Sequence, residues 1–352
     1  MAEPDNSVPH FRISVGGAPL AVEAEVDVLG VTVSQYVEGA DVFTIEVNNW
    51  DSDRQEFKWI DEDLYAPGAE VEVKAGFLDN LRSLIKGEIT ALEPDFAPDK
   101  APTLKVTGYD RLHRFRRGRH SRSFIEIRDS ELAESLAAEL QLRARVEDTS
   151  VVHPYLFQNN QTNIDFLKER ARRIRYEVEV EDRTLIFRHA ATDSGKTVTV
   201  AFGEKLKAFY PRLTTLDQTS SVEVRGWDPV NKAAIVATAR LGDEITKMAG
   251  STSGAAVADQ AYGASALLIS DHYLASQAEA DQIAKAQFNV QTDGFITGEA
   301  TAIGNPDLAA GFVVEVTKVG RRLSGLYYIA AASHVIKREG YSTHLSLQRN
   351  AI

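Results

Sequence analysis

From Phe11 to Tyr109 apolar side chains return at every second position. Val71, Val73, Ala75 and Phe77 alternate with Glu70, Glu72, Lys74 and Gly76, and Leu104, Val106 and Gly108 alternate with Thr103, Lys105 and Thr107. A period of two belongs to a strand with one face on a core and the other in water. Gly16-Gly17, Pro67-Gly68 and the polar stretch Pro94 to Pro102 interrupt it with turn chemistry. The pattern predicts a first β domain over residues 1–118, its strands starting near residue 8.

The period then lengthens. Asp129 stands where it can cap a helix carrying Leu132, Leu136 and Leu140 on one stripe. Thr162 and Asp165 make a capping-box pair ahead of Ile164, Leu167, Ala171 and Ile174. Two alternating runs follow, 176–181 and 184–189, so residues 119–192 read as a small α/β domain. Strand periodicity returns at 197–202 and 222–227, then lapses at 250–265, a run of Gly, Ala, Ser and Thr that predicts a loop. Ser276 and Glu279 open a helix over 276–289 bearing Ala280, Ile283, Ala284 and Phe288. Strands resume at 312–319, 326–332 and 341–348, giving a second β domain over 193–352. The fold class is α+β, mainly β.

The formal net charge of −12 excludes a protein whose whole surface wraps nucleic acid, because phosphate needs a positive field. No Cys is present, so disulfides, thiolate nucleophiles and cysteine metal sites are excluded. Residues 1–9 are acidic and polar where a secretory signal would carry positive charge and then an apolar run, which predicts synthesis in the cytoplasm. No window of eighteen apolar residues predicts a membrane span.

Catalytic motifs fail on inspection. Asp193-Ser194-Gly195-Lys196-Thr197 imitates the end of a phosphate-binding loop, yet Ala190 stands where the leading Gly belongs, and a strand rather than a helix follows. Gly250 to Gly254 imitates a nucleophile elbow, but its centre is Thr252. No His pair has helical ligand spacing, and carboxylate pairs such as Glu131/Glu134 and Asp61/Asp63 read as solvated faces. Neither catalytic residues, a cofactor nor a metal are predicted.

One feature opposes the acidic background: Arg111, Arg114, Arg116, Arg117, Arg119 and Arg122, with His113 and His120 among them. Such a cluster can bind nucleic acid, dock on an acidic neighbouring subunit, or simply be solvated. Aromatic residues interleave only at Phe115 and Phe124, which favours docking over base stacking.

Three blocks then acquire meaning by their order and spacing. They are Gly108 to Phe115 with Ser123-Phe124; Tyr155 to Gln158 with Asn163 to Leu167 and Arg175-Tyr176; and Gly298 to Ala300, Asn305 to Leu308, Gly311, Gly325 to Tyr327, His334 and Gly340 to Thr343. Together they resemble the phage late control protein D family, the hub half of valine-glycine-repeat (VgrG-type) spike proteins. The resemblance implies two tail-tube-like antiparallel β-barrel domains with a small α/β domain between them. It also implies a structural baseplate hub of a contractile phage-tail-like injection particle. In this reading a homotrimer presents six barrels, adapts a trimeric spike to a hexameric inner tube and lines the central channel.

The implied partners are a separate spike protein, since the chain ends at Ile352 without a needle, the inner tube protein and other baseplate proteins. Nucleic acid would be only cargo in the channel, and the chain would leave the cytoplasm as part of a phage tail or injection particle. The two β domains are expected to be structural copies, each with a helix beside its strands, at 276–289 in one and at 50–65 in the other. The competing readings are a tail-tip cell-wall hydrolase, which needs a Glu and Asp in a cleft, and an oligonucleotide-binding β-barrel, supported by the Arg cluster alone.

Overall fold

Alternation along the chain becomes strands wrapped on shared cores. The computed structural model describes residues 9–77, 80–190, 197–228, 231–270 and 273–352. Residues 193–196 of the phosphate-loop imitation, and residues 1–8, lie outside them. In chain order the N-terminal strands are β1 (Pro9–Val15), β2 (Ala18–Pro19), β3 (Val28–Tyr36), β4 (Val42–Asn48), β5 (Trp50–Asp51), β6 (Glu56–Phe57), β7 (Glu70–Phe77), β8 (Asn80–Asp95) and β9 (Thr103–Asp110). A short helix α1 (Val22–Val26) lies between β2 and β3. Phe43, Ile45 and Val47 of β4, Val71 and Val73 of β7, Ile13 of β1 and the fully buried Tyr65 share one core. Each such side chain contributes about 1.5–3 kcal/mol by leaving water.

The middle segment holds β10 (His120–Ile127), α2 (Asp129–Glu139), β11 (Arg143–Val146), β12 (His153–Gln161), α3 (Asn163–Arg173), β13 (Tyr176–Glu181) and β14 (Thr184–His189). Leu132 and Leu136 of α2 meet Leu167 and Ala171 of α3 and Phe187 of β14 in a core of their own. The C-terminal strands are β15 (Val198–Ala201), β16 (Leu206–Leu213), β17 (Ser221–Asp228), β18 (Ala233–Arg240), β19 (Ala266–Ile269), β20 (Ile296–Ile303), β21 (Val313–Thr317), β22 (Gly325–Lys337) and β23 (Gly340–Arg349). Two helices join them, α4 (Gly254–Tyr262) and α5 (Gln277–Asp293). The sheet β18-β17-β19 and α5 bury a separate apolar cluster around Phe288.

The stretches 1–118 and 193–352 meet in one sheet, of order β16-β20-β23-β22-β3-β4-β9-β8-β7-β1-β2, with β21 and β15 branching from β22. Read as two halves, this path contains the same order twice. The N-terminal half runs β3-β4-β9-β8-β7-β1, and the C-terminal half runs β16-β20-β23-β22-β21-β15. Registers agree to the residue. The β8–β9 ladder shifts between Ile89 and Ala91, and the β22–β23 ladder between Ile329 and Ala331. The β3–β4 ladder shifts between Val28 and Gly30, and the β16–β20 ladder between Leu206 and Ala208.

Bulges mark places where a strand must bend, so their coincidence means that both halves bend alike. The halves differ at the outermost strand, since β1 runs antiparallel to β7 while β15 runs parallel to β21, and in the β7–β8 ladder, whose shift between Val73 and Lys74 has no counterpart in the shorter β21–β22 ladder. Side-chain volume is exchanged across one matched pair. Phe43 faces Gly108 in one half, and Gly298 faces Leu347 in the other.

Three local expectations need correction. The 250–265 run is not a loop throughout, because Ser253 accepts the Ala256 amide at 3.3 Å and starts α4. Its small residues serve packing: a Cβ on Gly254 would stand 2.3 Å from the Phe295 ring. Asp129 is the first helical residue rather than the cap, since its carboxylate is held by Arg170 at 2.6 Å. The helix beside the C-terminal strands is present as α5, but 50–65 forms the β5–β6 hairpin and a 3-10 turn (Asp63–Tyr65). α5 also lies between β16 and β20, whereas 50–65 lies between β4 and β7, so these two segments are not counterparts.

Candidate assembly interface

The Arg cluster begins where β9 ends. Asp110 accepts the Leu112 amide at 2.9 Å and caps a 3-10 turn over Arg111–Arg116. This turn divides the arginines. Arg111 points inward, 2% exposed, and reaches Glu88 on β8 at 3.2 Å, Glu70 on β7 at 2.7 Å and Asp182 in the β13–β14 turn at 2.8 Å. It ties the first half to the middle segment. Arg114 also closes on Glu88, through Nε at 3.0 Å. Arg122 is held by Glu139 at 2.7 Å, Gln158 at 2.9 Å and Asn163 at 3.0 Å, above the Phe124 ring.

Arg116, Arg117 and Arg119 are exposed. Arg119 donates to the Asn160 carbonyl at 2.7 Å, and among the described residues Arg116 and Arg117 make no ion pair. Spacing along the chain could not separate these roles, because the turn buries Arg111 and exposes Arg116 while Arg117 and Arg119 follow it in the link to β10.

A second set of surfaces escaped the sequence reading. Among the described residues β16 pairs with β20 and otherwise makes only an isolated bridge from Leu206 to Phe202, which leaves the edge of 208–213 bare, and β8 beyond Ile89 pairs with β9 alone. Bare edges carry unmatched N–H and C=O groups. Pro94 and Pro211 lie in these two edges, and a Pro inside an alternating run is the signal that marks them.

Two buried carboxylates are engaged with cations inside the fold. Asp129 and Glu279, 1% and 4% exposed, face His153 and Arg170 in one buried network that joins α2 and α3 to α5. Burial opposes ionisation of Asp129, yet hydrogen bonds from His153 and Arg170 hold its pKa at about 2. A general acid at neutral pH needs the opposite shift. A cleft of about 690 Å³ lined by Tyr36, Lys168, Arg172, Glu177 and Tyr328 contains a carboxyl group, Glu177, that burial pushes up to about 7. The Tyr328 hydroxyl donates to that group. Thr252, the centre of the elbow imitation, is tied by its backbone to Ile352, and the neighbouring Ser253 hydroxyl donates to Glu244 at 2.6 Å. Among the described residues no three His, Asp or Glu side chains converge as metal ligands, and no helix is long and apolar enough to cross a membrane.

The model of the Alg8 N-terminal domain family matches residues 5–338. No curated protein matches the chain. In three dimensions the chain is similar to the 43 kDa tail protein of prophage MuSo2 from Shewanella oneidensis, with TM-score 0.71 and 15% identity over 97% of this chain and 98% of that one. It is similar to a tail protein from Neisseria meningitidis MC58, with TM-score 0.70 and 13% identity over 97% of each chain. It also resembles the E. coli c3393 protein, a component of the type VI secretion system. That match has TM-score 0.61 and 8% identity over 96% of this chain and 77% of that one. The mainly antiparallel fold is therefore that of phage tail proteins.

Proposed function

The chain belongs to the Alg8 N-terminal domain family, and we propose, from its tail-protein fold rather than from that family, that it is the structural baseplate hub of a contractile, phage-tail-like injection particle, of the late control protein D type. The observation that carries this reading is the repeated half, with its strand order and both bulges duplicated in one sheet. A subunit with two equivalent halves presents twice as many similar surfaces as it has copies. Three copies in a closed ring then offer six, which joins a three-fold spike to a six-fold tube through interfaces alone.

The similarity to tail proteins and to a secretion-system component supports the same role. Arg116, Arg117 and Arg119 would dock on an acidic neighbour, where guanidinium groups pair with carboxylates in two-pronged geometry. The inner tube protein, a separate spike protein and other baseplate proteins are the partners this role requires. Light scattering on the purified chain tests the stoichiometry: three copies are expected, and a stable monomer or dimer rejects the adaptor. Incubation with peptidoglycan and with nucleotides should give no turnover, whereas turnover lost on replacing one carboxylate would make the chain an enzyme.

A further inference from the structure

Within the chain the two halves are joined by one seam. The far end of β22 pairs antiparallel with β3, placing Ala331 opposite Tyr36, Ala332 opposite Gln35, Ser333 opposite Ser34, His334 opposite Val33 and Val335 opposite Thr32. The strand equivalent to β22 in the other half is β8, and the strand equivalent to β3 is β16. Among the described residues each leaves part of an edge of the large sheet unpaired, as do β15 and β2. We propose that β16 of one copy pairs with Ala91–Asp95 of β8 in the next copy, in the register of the internal seam. The ring would then be one continuous alternation of internal and intermolecular seams.

Matching bulges fix the correspondence. Ala331 to Val335 map onto Ala91 to Asp95, and Tyr36 to Thr32 map onto Thr214 to Tyr210. The copied register sets Leu92 against Leu213, Glu93 against Arg212 and Pro94 against Pro211.

Backbone directions agree with this register. The amide bonds Asn49 N–H to Pro102 O and Asp110 N–H to Asp41 O turn Leu104, Val106 and Gly108 toward β4, so Lys105 and Thr107 face β8. Their partners Glu93 and Ala91 therefore point at β9, while Leu92 and Pro94 point to the bare edge. On β16 the bond Thr214 N–H to Phe295 O turns Arg212 and Tyr210 toward β20 and leaves Leu213 and Pro211 outward. Outward groups thus meet outward groups.

Side-chain chemistry supports the same pairing. At the internal seam Ser34 and Ser333 share a hydrogen bond of 2.9 Å, and the equivalent position between copies brings Arg212 to Glu93, which within its own chain already pairs with Lys105 at 3.1 Å. Arg212 is exposed and has no ion pair among the described residues. Leu213, an exposed large apolar residue, gains Leu92. The prolines remove a donor from each edge, as edges that must avoid indiscriminate pairing do, and they fall opposite each other, so no N–H faces a missing acceptor at that step.

This inference rests on the ring reading above, and the test separates the two. The chain contains no Cys, so an introduced pair reports only on itself. Glu93 and Arg212 would form the narrow type of antiparallel pair, about 4.5 Å between Cα atoms, which a disulfide spans. The full chain carrying Glu93→Cys and Arg212→Cys should, on mild oxidation, yield covalent species of two and then three chain masses, all lost on reduction. Ser34→Cys with Ser333→Cys should crosslink within the chain and leave the mass unchanged. A second variant set reads the same seam: Glu93→Arg should weaken assembly at least tenfold, and adding Arg212→Glu should restore it. A trimer that gives no crosslink and ignores the charge swap overturns the seam and leaves the ring reading standing. A folded monomer overturns both, and a crosslinked ring of another size supports the seam while rejecting the three-fold adaptor.

Discussion

Gly68 and Gly311 occupy one position in two copies of the same turn. The Gly68 amide donates to the Ile89 carbonyl at 2.7 Å and the Gly311 amide to the Ile329 carbonyl at 2.9 Å. The Ile89 amide returns to Ala69, and that of Ile329 to Phe312. Both glycines are left-handed, with φ of 91° and 79°, in the region where a Cβ crowds the carbonyl. The turn brings the chain into β7 and into β21 at the bulge of the neighbouring strand, so it helps set the bend of each half.

Substituting these glycines should destabilise the chain unequally. Gly68→Ala meets open space and carries only the left-handed penalty of about 1–2 kcal/mol. At Gly311 a Cβ would also stand 2.9 Å from the Glu179 carboxylate, so Gly311→Ala should cost more. Urea midpoints of the two variants measure this. Equal shifts would show that the Glu179 contact relaxes freely.

Much of this architecture was legible in the chain. The runs 176–181 and 184–189 coincide with β13 and β14, Thr162 caps α3, and Ser276 caps α5. Glu279 stands at capping-box spacing from Ser276, but its carboxylate accepts the Ala275 amide instead. What failed has a physical cause. β16 reads Leu-Lys-Ala-Phe-Tyr-Pro-Arg-Leu, and an edge strand with Pro and charges gives no clean alternation. α4 is built from Gly, Ala and Ser, whose packing against Phe295 is invisible to hydrophobicity. The inward turn of Arg111 depended on Glu70, Glu88 and Asp182, which only the fold assembles.

Arg111 should matter for stability rather than for docking. Removing it leaves Glu88, 5% exposed, with less of its counter-charge, and breaking a buried pair costs about 3–5 kcal/mol. Arg111→Ala should therefore lower the urea midpoint sharply. A shift no larger than that of an exposed Arg would contradict the buried role.

Arg116→Glu with Arg117→Glu should do the reverse. Both side chains are exposed, so the unfolding free energy should stay within about 0.5 kcal/mol of the parent. Assembly of particles in the producing cells should fail. Normal particles from the double variant would remove these residues from the interface.

The internal seam should respond to acid through His334. It is fully buried, and burial lowers its pKa from the ordinary 6.5 to about 3. The Tyr341 hydroxyl lies 2.8 Å from Nδ1. The unfolded chain takes up a proton near pH 6.5 and the folded chain only near 3, so this contribution is whole above 6.5 and is lost as pH falls toward 3. Between pH 7.5 and 5 the loss should be about 2 kcal/mol. His334→Gln should flatten that slope, and an unchanged slope would assign the acid sensitivity to other groups.

The central claim is that two equivalent halves per chain make a six-part ring from three chains. Cryo-electron microscopy of the purified full chain tests it most directly. The account predicts a closed ring of three chains in which six sheet segments superpose at successive sixty-degree steps. A three-chain particle whose two halves lie at different radii, or a ring of any other number, would contradict it.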